Sequence, residues 1–174
     1  MLRATKVRIY PTPEQAEFIN AQFGAVRFAY NKALHIKKHS YQRHRVNLNP
    51  RKDLKPLLAV AKKSRRYGWL KEYDSIALQQ AVINLDVAFS NFFNPKLKAG
   101  KPTFKSKHGR QSSYHCVGIK VLDGAIKIPK ILPIEARLHR EITGMLKSIT
   151  LSRSATGKYL SLIHISEPTR RSYI

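Results

Sequence analysis

The stretch LRATKVRIYPTP, residues 2–13, determines how the rest of the sequence is interpreted. Val7 and Ile9 alternate with polar neighbours, and this alternation predicts a half-buried β-strand over the first part of the stretch. The prolines that follow end the strand. Thr12 and Gln15 then have the spacing of a helix capping box, with a proline at the first helical position. A strand is therefore expected to lead directly into a helix.

A helical stripe follows the capping box. Apolar side chains recur at helical spacing at Ile19, Phe23, Val26, Tyr30 and Leu34. Gly24 interrupts this stripe, and it marks either a turn between two short helices or a close crossing of helices. The polar residues 39–50 predict a loop.

Two more helical stretches are expected before residue 95. One begins near Pro50, with Pro56 placed to kink it. The stronger one is capped by Asp74 or Ser75 and ends at Asn94. Its apolar positions are Leu78, Val82, Leu85, Phe89 and Phe92.

The pattern changes to period two after a basic linker that spans residues 96–112. Asp123-Gly124 lies between alternating apolar residues, which is a strong hairpin signal. A second hairpin is expected around residues 149–161. Because the first strand can pair with these later strands, we predict an α+β fold: a β-barrel or sheet interrupted by a helical lobe. The predicted segments are 1–11 for the first strand, 12–95 for the lobe, 96–112 for the linker, 113–159 for the later strands and 160–174 for a tail.

Composition indicates a polyanionic partner. The chain has 174 residues with 33 Lys and Arg against 10 Asp and Glu, a formal net charge of +23. Such a charge destabilises a compact chain by self-repulsion unless an anionic partner neutralises it. A single cysteine, Cys116, excludes an internal disulfide framework. Neither a signal peptide nor a membrane-spanning apolar run is evident, so we expect a cytoplasmic protein without membrane or small-molecule partners.

Four motifs in order resemble one known family. Residues 23–31, FGAVRFAYN, resemble the F-x-x-x-R-F-x-Y-N signature of TnpB proteins, the OrfB-type transposases of small insertion sequences. Residues 77–93 carry ALQ, NLD and NFF at the places where that family has its A-L-Q…N-L…N-F-F helix. Residues 100–107, GKPTFKSK, are similar to the G-x-P-x-F-K-x-K linker, and residues 126–130, IKIPK, to the strand that follows it.

The resemblance implies RNA-guided DNA endonucleases of bacterial or archaeal origin, with guide RNA and DNA as partners. It also implies that the predicted fold is a wedge-like β-barrel or sheet interrupted by a helical, helix-turn-helix-like lobe. Family members cut with a RuvC-like domain, which holds Mg²⁺ on three carboxylates and carries a four-cysteine zinc ribbon. Here Glu167 is the only acidic residue after residue 141, and the chain has one cysteine. We therefore expect a fragment truncated before catalysis, with no catalytic residue, no metal site and no cofactor of its own.

The last residues depart from the family pattern. LSLIHISEPTR, residues 160–170, resembles the translated adapter of a transposase-based sequencing library. We expect residues 160–174 to be non-native for this reason. The alternative is a genuine strand followed by a polar tail, and the codons of these residues decide between the two.

Twelve residues are candidates for nucleic-acid contact: Lys6, Arg8, Tyr10, Arg27, Asn31, Lys38, Gln79, Lys101, Phe104, Lys105, Lys107 and Arg110. Arg27 and Asn31 share a helix face that either enters a groove or holds the lobe together by hydrogen bonds. The resemblance places Gln79 against the duplex motif that flanks the target, although Ser75 replaces the basic residue often found four positions earlier. The linker cations and the first strand suit phosphates, with aromatic residues between them for stacking.

The predicted function is thus binding of guide RNA and target DNA by the N-terminal part of a TnpB-like protein. A complete helix-turn-helix regulator and a ribosome-type structural RNA-binding protein remain the alternatives.

Overall fold

The computed structural model describes residues 2–108, 112–139 and 141–166. The chain divides into two compact units, one formed by Met1–Asn20 with Arg110–Ile174 and the other by Ala21–Gly109. The first unit contains the sheet and the second contains the helices. The first two turns of the helix that begins at Pro13 belong to the sheet unit, whereas the sequence alone assigns the whole of that helix to the lobe.

The sheet has seven antiparallel strands and is curled into a half-barrel. Its strands are β1 (Leu2–Tyr10), β2 (Ser112–Cys116), β3 (Lys120–Leu122), β4 (Ala125–Lys127), β5 (Ile134–Arg137), β6 (Met145–Arg153) and β7 (Tyr159–Ser166). Their order across the sheet is β2-β6-β7-β1-β5-β4-β3. β1 therefore lies between two strands made much later in the chain, which confirms the predicted sheet with a helical insertion.

Alternation along the strands buries one face of the sheet. The buried apolar residues among the described part of this unit are Val7, Ile9, Ile19, Tyr114, Cys116, Ile126, Ile128, Ile134, Ala136, Ile149, Leu151, Ile163 and Ile165. Both predicted hairpins are present. Gly124 supplies the left-handed backbone of the β3–β4 turn (φ +67°), and Gly157 does the same between β6 and β7 (φ +83°).

The first helix, α1 (Pro13–His44), begins with the predicted capping box. The Thr12 amide donates to Gln15 Oε1 at 3.0 Å, and the Gln15 amide donates to Thr12 Oγ1 at 3.2 Å. The Gln15 side chain also donates to the carbonyls of Leu132 and Pro133 at 3.2 and 3.1 Å. These bonds fix the start of α1 to the segment that precedes β5.

Two predictions about α1 are wrong. The helix passes through Gly24 without a turn, and a Cβ at that position would meet only the Arg27 guanidinium, at 3.7 Å, so no helix crosses closely there either. The predicted loop 39–50 is shorter, because α1 continues to His44 and contains no proline or glycine after Gly24 to stop it. Arg45, with φ +54°, is where the helical backbone ends.

The other helical elements agree with the predictions in part: the stretch expected from Pro50 is divided near Pro56, the 3₁₀ turn was not predicted, and the last helix is present. A π-helical turn spans Pro50–Leu54, α2 spans Leu57–Lys63 with Pro56 at its N-cap, and a 3₁₀ turn spans Gly68–Glu72. The last helix, α3 (Ser75–Phe93), is capped by Asp74, whose side chain accepts from the Ile76 amide at 3.2 Å. The predicted apolar stripe of α3 is buried except for Phe92, which lies near the helix end and is 37% exposed.

The predicted tail falls partly within the sheet. Residues 160–166 form most of β7, which pairs with both β1 and β6. Residues 167–174 lie outside the described residues. The adapter origin of the codons stays a prediction.

Candidate nucleic-acid interface

The basic linker is held against α1 by one side chain. Asn31 Nδ2 donates to the Lys105 carbonyl at 2.9 Å, and the Lys105 amide donates to Asn31 Oδ1 at 2.8 Å. Both polar groups of the Asn31 amide therefore bind the backbone of a single linker residue, Lys105. For Asn31, these bonds favour the role of holding the lobe together over that of entering a groove.

Two lysine–aromatic contacts extend this attachment. The Lys38 ammonium lies 4.8 Å from the centre of the Phe104 ring, and the Lys105 ammonium lies 4.4 Å from that of Tyr30. Lys105 is exposed as a residue, but its ammonium loses water over the ring, and this burial lowers the pKa of Lys105. Burial likewise raises the pKa of Tyr30. The arrangement keeps a positive charge next to a largely exposed aromatic ring, Phe104, which is 51% exposed.

The remaining predicted residues of this region differ in exposure. Lys101 and Lys107 are exposed on either side of the attached segment, while Pro102 is buried and anchors it. Arg27 is half-buried on α1, one turn before Asn31. Arg110 lies outside the described residues. The structure thus brings Asn31, Lys38, Phe104 and Lys105 together, and we call these four residues with Lys101 and Lys107 the linker surface.

The candidates on β1 belong to the sheet unit. Lys6, Arg8 and Tyr10 all point away from the buried face, and each is exposed. The Arg8 guanidinium lies 5.1 Å from the centre of the Tyr10 ring. A cation beside an exposed aromatic edge is suited to a phosphate with a neighbouring base.

Gln79 lies on the first half of α3 and is half-buried, as is Ser75 one turn earlier. The next residue, Gln80, donates to Asn84 Oδ1 at 3.0 Å along the helix. Gln79 stays a predicted contact residue.

Sequence reasoning missed Lys37, which is 8% exposed. Its ammonium donates to Asn47 Oδ1 at 2.7 Å and to the Leu48 carbonyl at 2.6 Å, which ties the loop after α1 back to the helix. Burial lowers the pKa of Lys37, and the nearby carboxylates of Asp86 and Asp53 partly oppose that shift. No local sequence pattern marks this lysine, because its aromatic neighbour Phe89, whose ring centre lies 4.7 Å from the ammonium, comes much later in the chain.

The metal ligands implied by the family resemblance do not fit the residues present. Within residues 2–108, 112–139 and 141–166, no group of three His, Cys, Asp or Glu side chains could hold a metal ion. Cys116 is buried in β2, with its thiol 3.6 Å from the Ile149 carbonyl. We therefore derive no chemistry through Mg²⁺ or zinc for this chain.

Comparison with known proteins identifies the family. The helix-turn-helix domain of IS605-type OrfB proteins matches residues 1–45, a range that forms β1 and the uninterrupted α1. The "Putative RNA-guided DNA endonuclease InsQ" of Escherichia coli K12 is 29% identical over 168 residues, or 95% of this chain. The chain belongs to the TnpB (OrfB) family. The "Putative RNA-guided DNA endonuclease" of Streptomyces pristinaespiralis is 30% identical over 162 residues, or 90% of this chain.

The TnpB-type relatives are much longer than the matched region. This chain spans 40% of the Streptomyces protein and 41% of the Escherichia protein. By contrast, "Virulence protein VsdF" of Salmonella dublin is 78% identical over 116 residues, which are 63% of this chain and 98% of VsdF. In the described part of this TnpB-family chain, no helix combines the length and apolarity that crossing a membrane would need.

Proposed function

We propose that this chain binds nucleic acid, gripping a guide RNA and the short DNA duplex that flanks a target. The single observation that carries the proposal is the attachment of Lys105 to Asn31. It converts a basic linker, which would otherwise be a solvated connector, into an ordered surface of cations with an aromatic ring.

Electrostatics supports the same conclusion. With a net charge of +23, much of the binding free energy is expected to come from phosphate contacts and the release of counterions. Lys101 and Lys107 extend from the fixed segment and are suited to phosphates, whereas Phe104 is suited to stacking on a base or sugar.

Salt dependence tests the proposal. Binding of a labelled DNA duplex by fluorescence anisotropy is expected to weaken steeply with NaCl, with a logarithmic slope of about 0.9 for each phosphate contact. The double variant Lys101→Gln/Lys107→Gln should reduce the magnitude of that slope by the amount expected for the loss of about two phosphate contacts. The matched variant Lys120→Gln/Lys130→Gln removes the same charge from exposed positions of the sheet unit and should leave the slope almost unchanged. Affinity that does not vary with salt would contradict the proposal.

We further propose that RNA is the physiological partner of the linker surface and that cleavage depends on the part of TnpB proteins that this chain does not match. The proposal is supported by the names of the relatives and by the metal-ligand geometry that is lacking among the described residues. An RNA transcribed from the end of the insertion sequence should bind more tightly than ribosomal RNA of equal length. Chelation of metal ions with EDTA should not change the affinity of the protein for that transcript. Preference for ribosomal RNA would favour a structural RNA-binding protein, and a symmetric footprint on DNA would favour a dimeric regulator.

A further inference from the structure

A second aromatic group, which shares no residue with the linker surface, lies at the 3₁₀ turn before α3. Trp69 contacts Phe28 of α1 at a centroid distance of 5.1 Å and Tyr73 at 6.0 Å, with interplanar angles of 62° and 81°. These two edge-type contacts fix the orientation of the indole, yet the residue is 40% exposed. The turn therefore presents a fixed aromatic ring to solvent.

Two cations lie beside Tyr67, a second aromatic residue that contacts Phe28. The ammonium of Lys32 and the guanidinium of Arg66 lie 5.5 and 5.4 Å from the centre of the Tyr67 ring, and that ring is 5.4 Å from Phe28. The sequence from residue 54 to 71 contains six Lys and Arg and no Asp or Glu. Among the described residues, no ion pair joins a carboxylate to the side chains of this basic run. Its charge is therefore available to an anion that comes from outside.

An apolar cleft adjoins the cations. It has a volume of about 340 Å³, and its lining includes residues of α1, the π-helical turn, α2, the 3₁₀ turn and α3. Phe28, Tyr67, Lys32 and Arg66 are among the lining residues. Most of the lining is apolar, and the Ser64 hydroxyl already donates to the Ala61 carbonyl at 2.6 Å.

We propose that Trp69, Tyr67 and Arg66, with Lys32, form a site for an unpaired nucleotide of a single strand, bound without base preference. A base would stack on the indole, and its flanking phosphates would contact Arg66 and the other cations of residues 62–66. A base paired within a duplex cannot expose its face in this way, so the site selects single strands by their chemistry. This inference rests on the proposed nucleic-acid function, because it names which form of the polyanion this face accepts.

Trp69 is the single tryptophan of the chain, which makes the intact protein its own reporter. An oligothymidylate strand added at low ionic strength should quench the indole fluorescence, because the base stacks on the ring. An abasic strand of equal length carries the same phosphates and should not quench. Anisotropy of labelled strands, measured in parallel, reports binding anywhere on the molecule.

Three outcomes separate the proposals. Quenching by oligothymidylate alone supports the site. Binding by anisotropy without quenching overturns the site and leaves the proposed function intact. Anisotropy that stays flat for single strands and duplex overturns both.

A pair of variants provides an independent check. Trp69→Leu keeps an apolar side chain at the turn and should weaken oligothymidylate binding by about tenfold or more, with little effect on a duplex. Tyr41→Leu is the matched control, since Tyr41 is 52% exposed and also lies beside an arginine, Arg45. Equal effects of the two substitutions would overturn the site, and the fluorescence result stands even if Trp69→Leu fails to fold.

Discussion

At the scale of single residues, Ser161 is poorly suited to its surroundings. It is fully buried in β7, opposite Val7 of β1 and Leu151 of β6, and its hydroxyl oxygen has no hydrogen-bond partner among the described residues. A buried polar group without a partner costs about 1–3 kcal/mol. An apolar residue would satisfy this core position better.

Ser161→Ala should therefore raise the free energy of unfolding by about 1 kcal/mol, because it removes the orphaned hydroxyl at a small loss of volume. Urea denaturation followed by circular dichroism measures the change. Ser154→Ala is the control: its hydroxyl accepts from the Lys158 amide at 3.1 Å, and its loss should instead destabilise. A destabilising Ser161→Ala would show that the hydroxyl is satisfied in solution.

The hydrogen bonds of Asn31 favour a role in positioning the linker over direct contact with a ligand. Asn31→Ala removes both hydrogen bonds to Lys105, each with a net value of about 1 kcal/mol, and should release the linker from α1. Trypsin is then expected to cleave faster after Lys105 and Lys107, and affinity for duplex DNA to fall several-fold. Asn84→Ala, on the exposed side of α3, should change neither. Unchanged proteolysis of the Asn31 variant would argue against the attachment.

At the scale of elements, the sequence was sufficient to predict features that depend on contacts between residues close together in the chain. The capping box at Thr12, the cap at Asp74 and the glycine turn at Gly124 all follow from residues within a few positions. The length of α1 could not be predicted in this way, because its final turns are polar and no local residue marks their end. Strand β5 was not predicted either, since a four-residue strand is recognised mainly by its pairing with β1 and β4.

The same limit applies to the candidate site. Sequence spacing indicated the cations and aromatic residues of the linker, because composition alone suggests their chemistry. It left two roles open for Asn31, and only the tertiary contact with a residue 74 positions later favours one of them.

Lys37 connects α1 to the following loop, and its titration gives an element-scale prediction. Its pKa in the folded state lies below the ordinary value of 10.5, so between these two values the unfolded chain binds more protons. The free energy of unfolding contributed by Lys37 should then rise as pH increases through that window. Measured against Lys37→Met by urea denaturation, the wild-type protein should gain relative stability as pH approaches 10.5.

Tyr30 and Lys105 also titrate in the alkaline range, but they are present in both proteins and cancel from the difference. A difference that does not vary with pH would mean that the Lys37 ammonium is as well hydrated in the folded protein as in the unfolded chain.

At the scale of the whole molecule, the net charge should make stability and DNA affinity respond to salt in opposite directions. Like charges repel in the folded chain at +23, and about 0.1 M salt screens them beyond roughly 10 Å. The melting temperature should therefore rise with NaCl between low and moderate concentrations, while affinity for DNA falls. Scanning calorimetry and anisotropy on one sample series measure both. A melting temperature that falls with NaCl together with the DNA affinity would mean that charge repulsion does not limit stability.

The pairing of β1 with β7 has a consequence for how the polypeptide is made. Leu2 is opposite Ser166, and Tyr10 is opposite Glu135 of β5, so the earliest strand has no sheet partner until far more of the chain has left the ribosome. The helices between them can form as they emerge, because their contacts are local. During synthesis the first strand remains an open edge that could pair with another nascent chain. Its three exposed cations, Arg3, Lys6 and Arg8, provide electrostatic protection against such pairing during that interval.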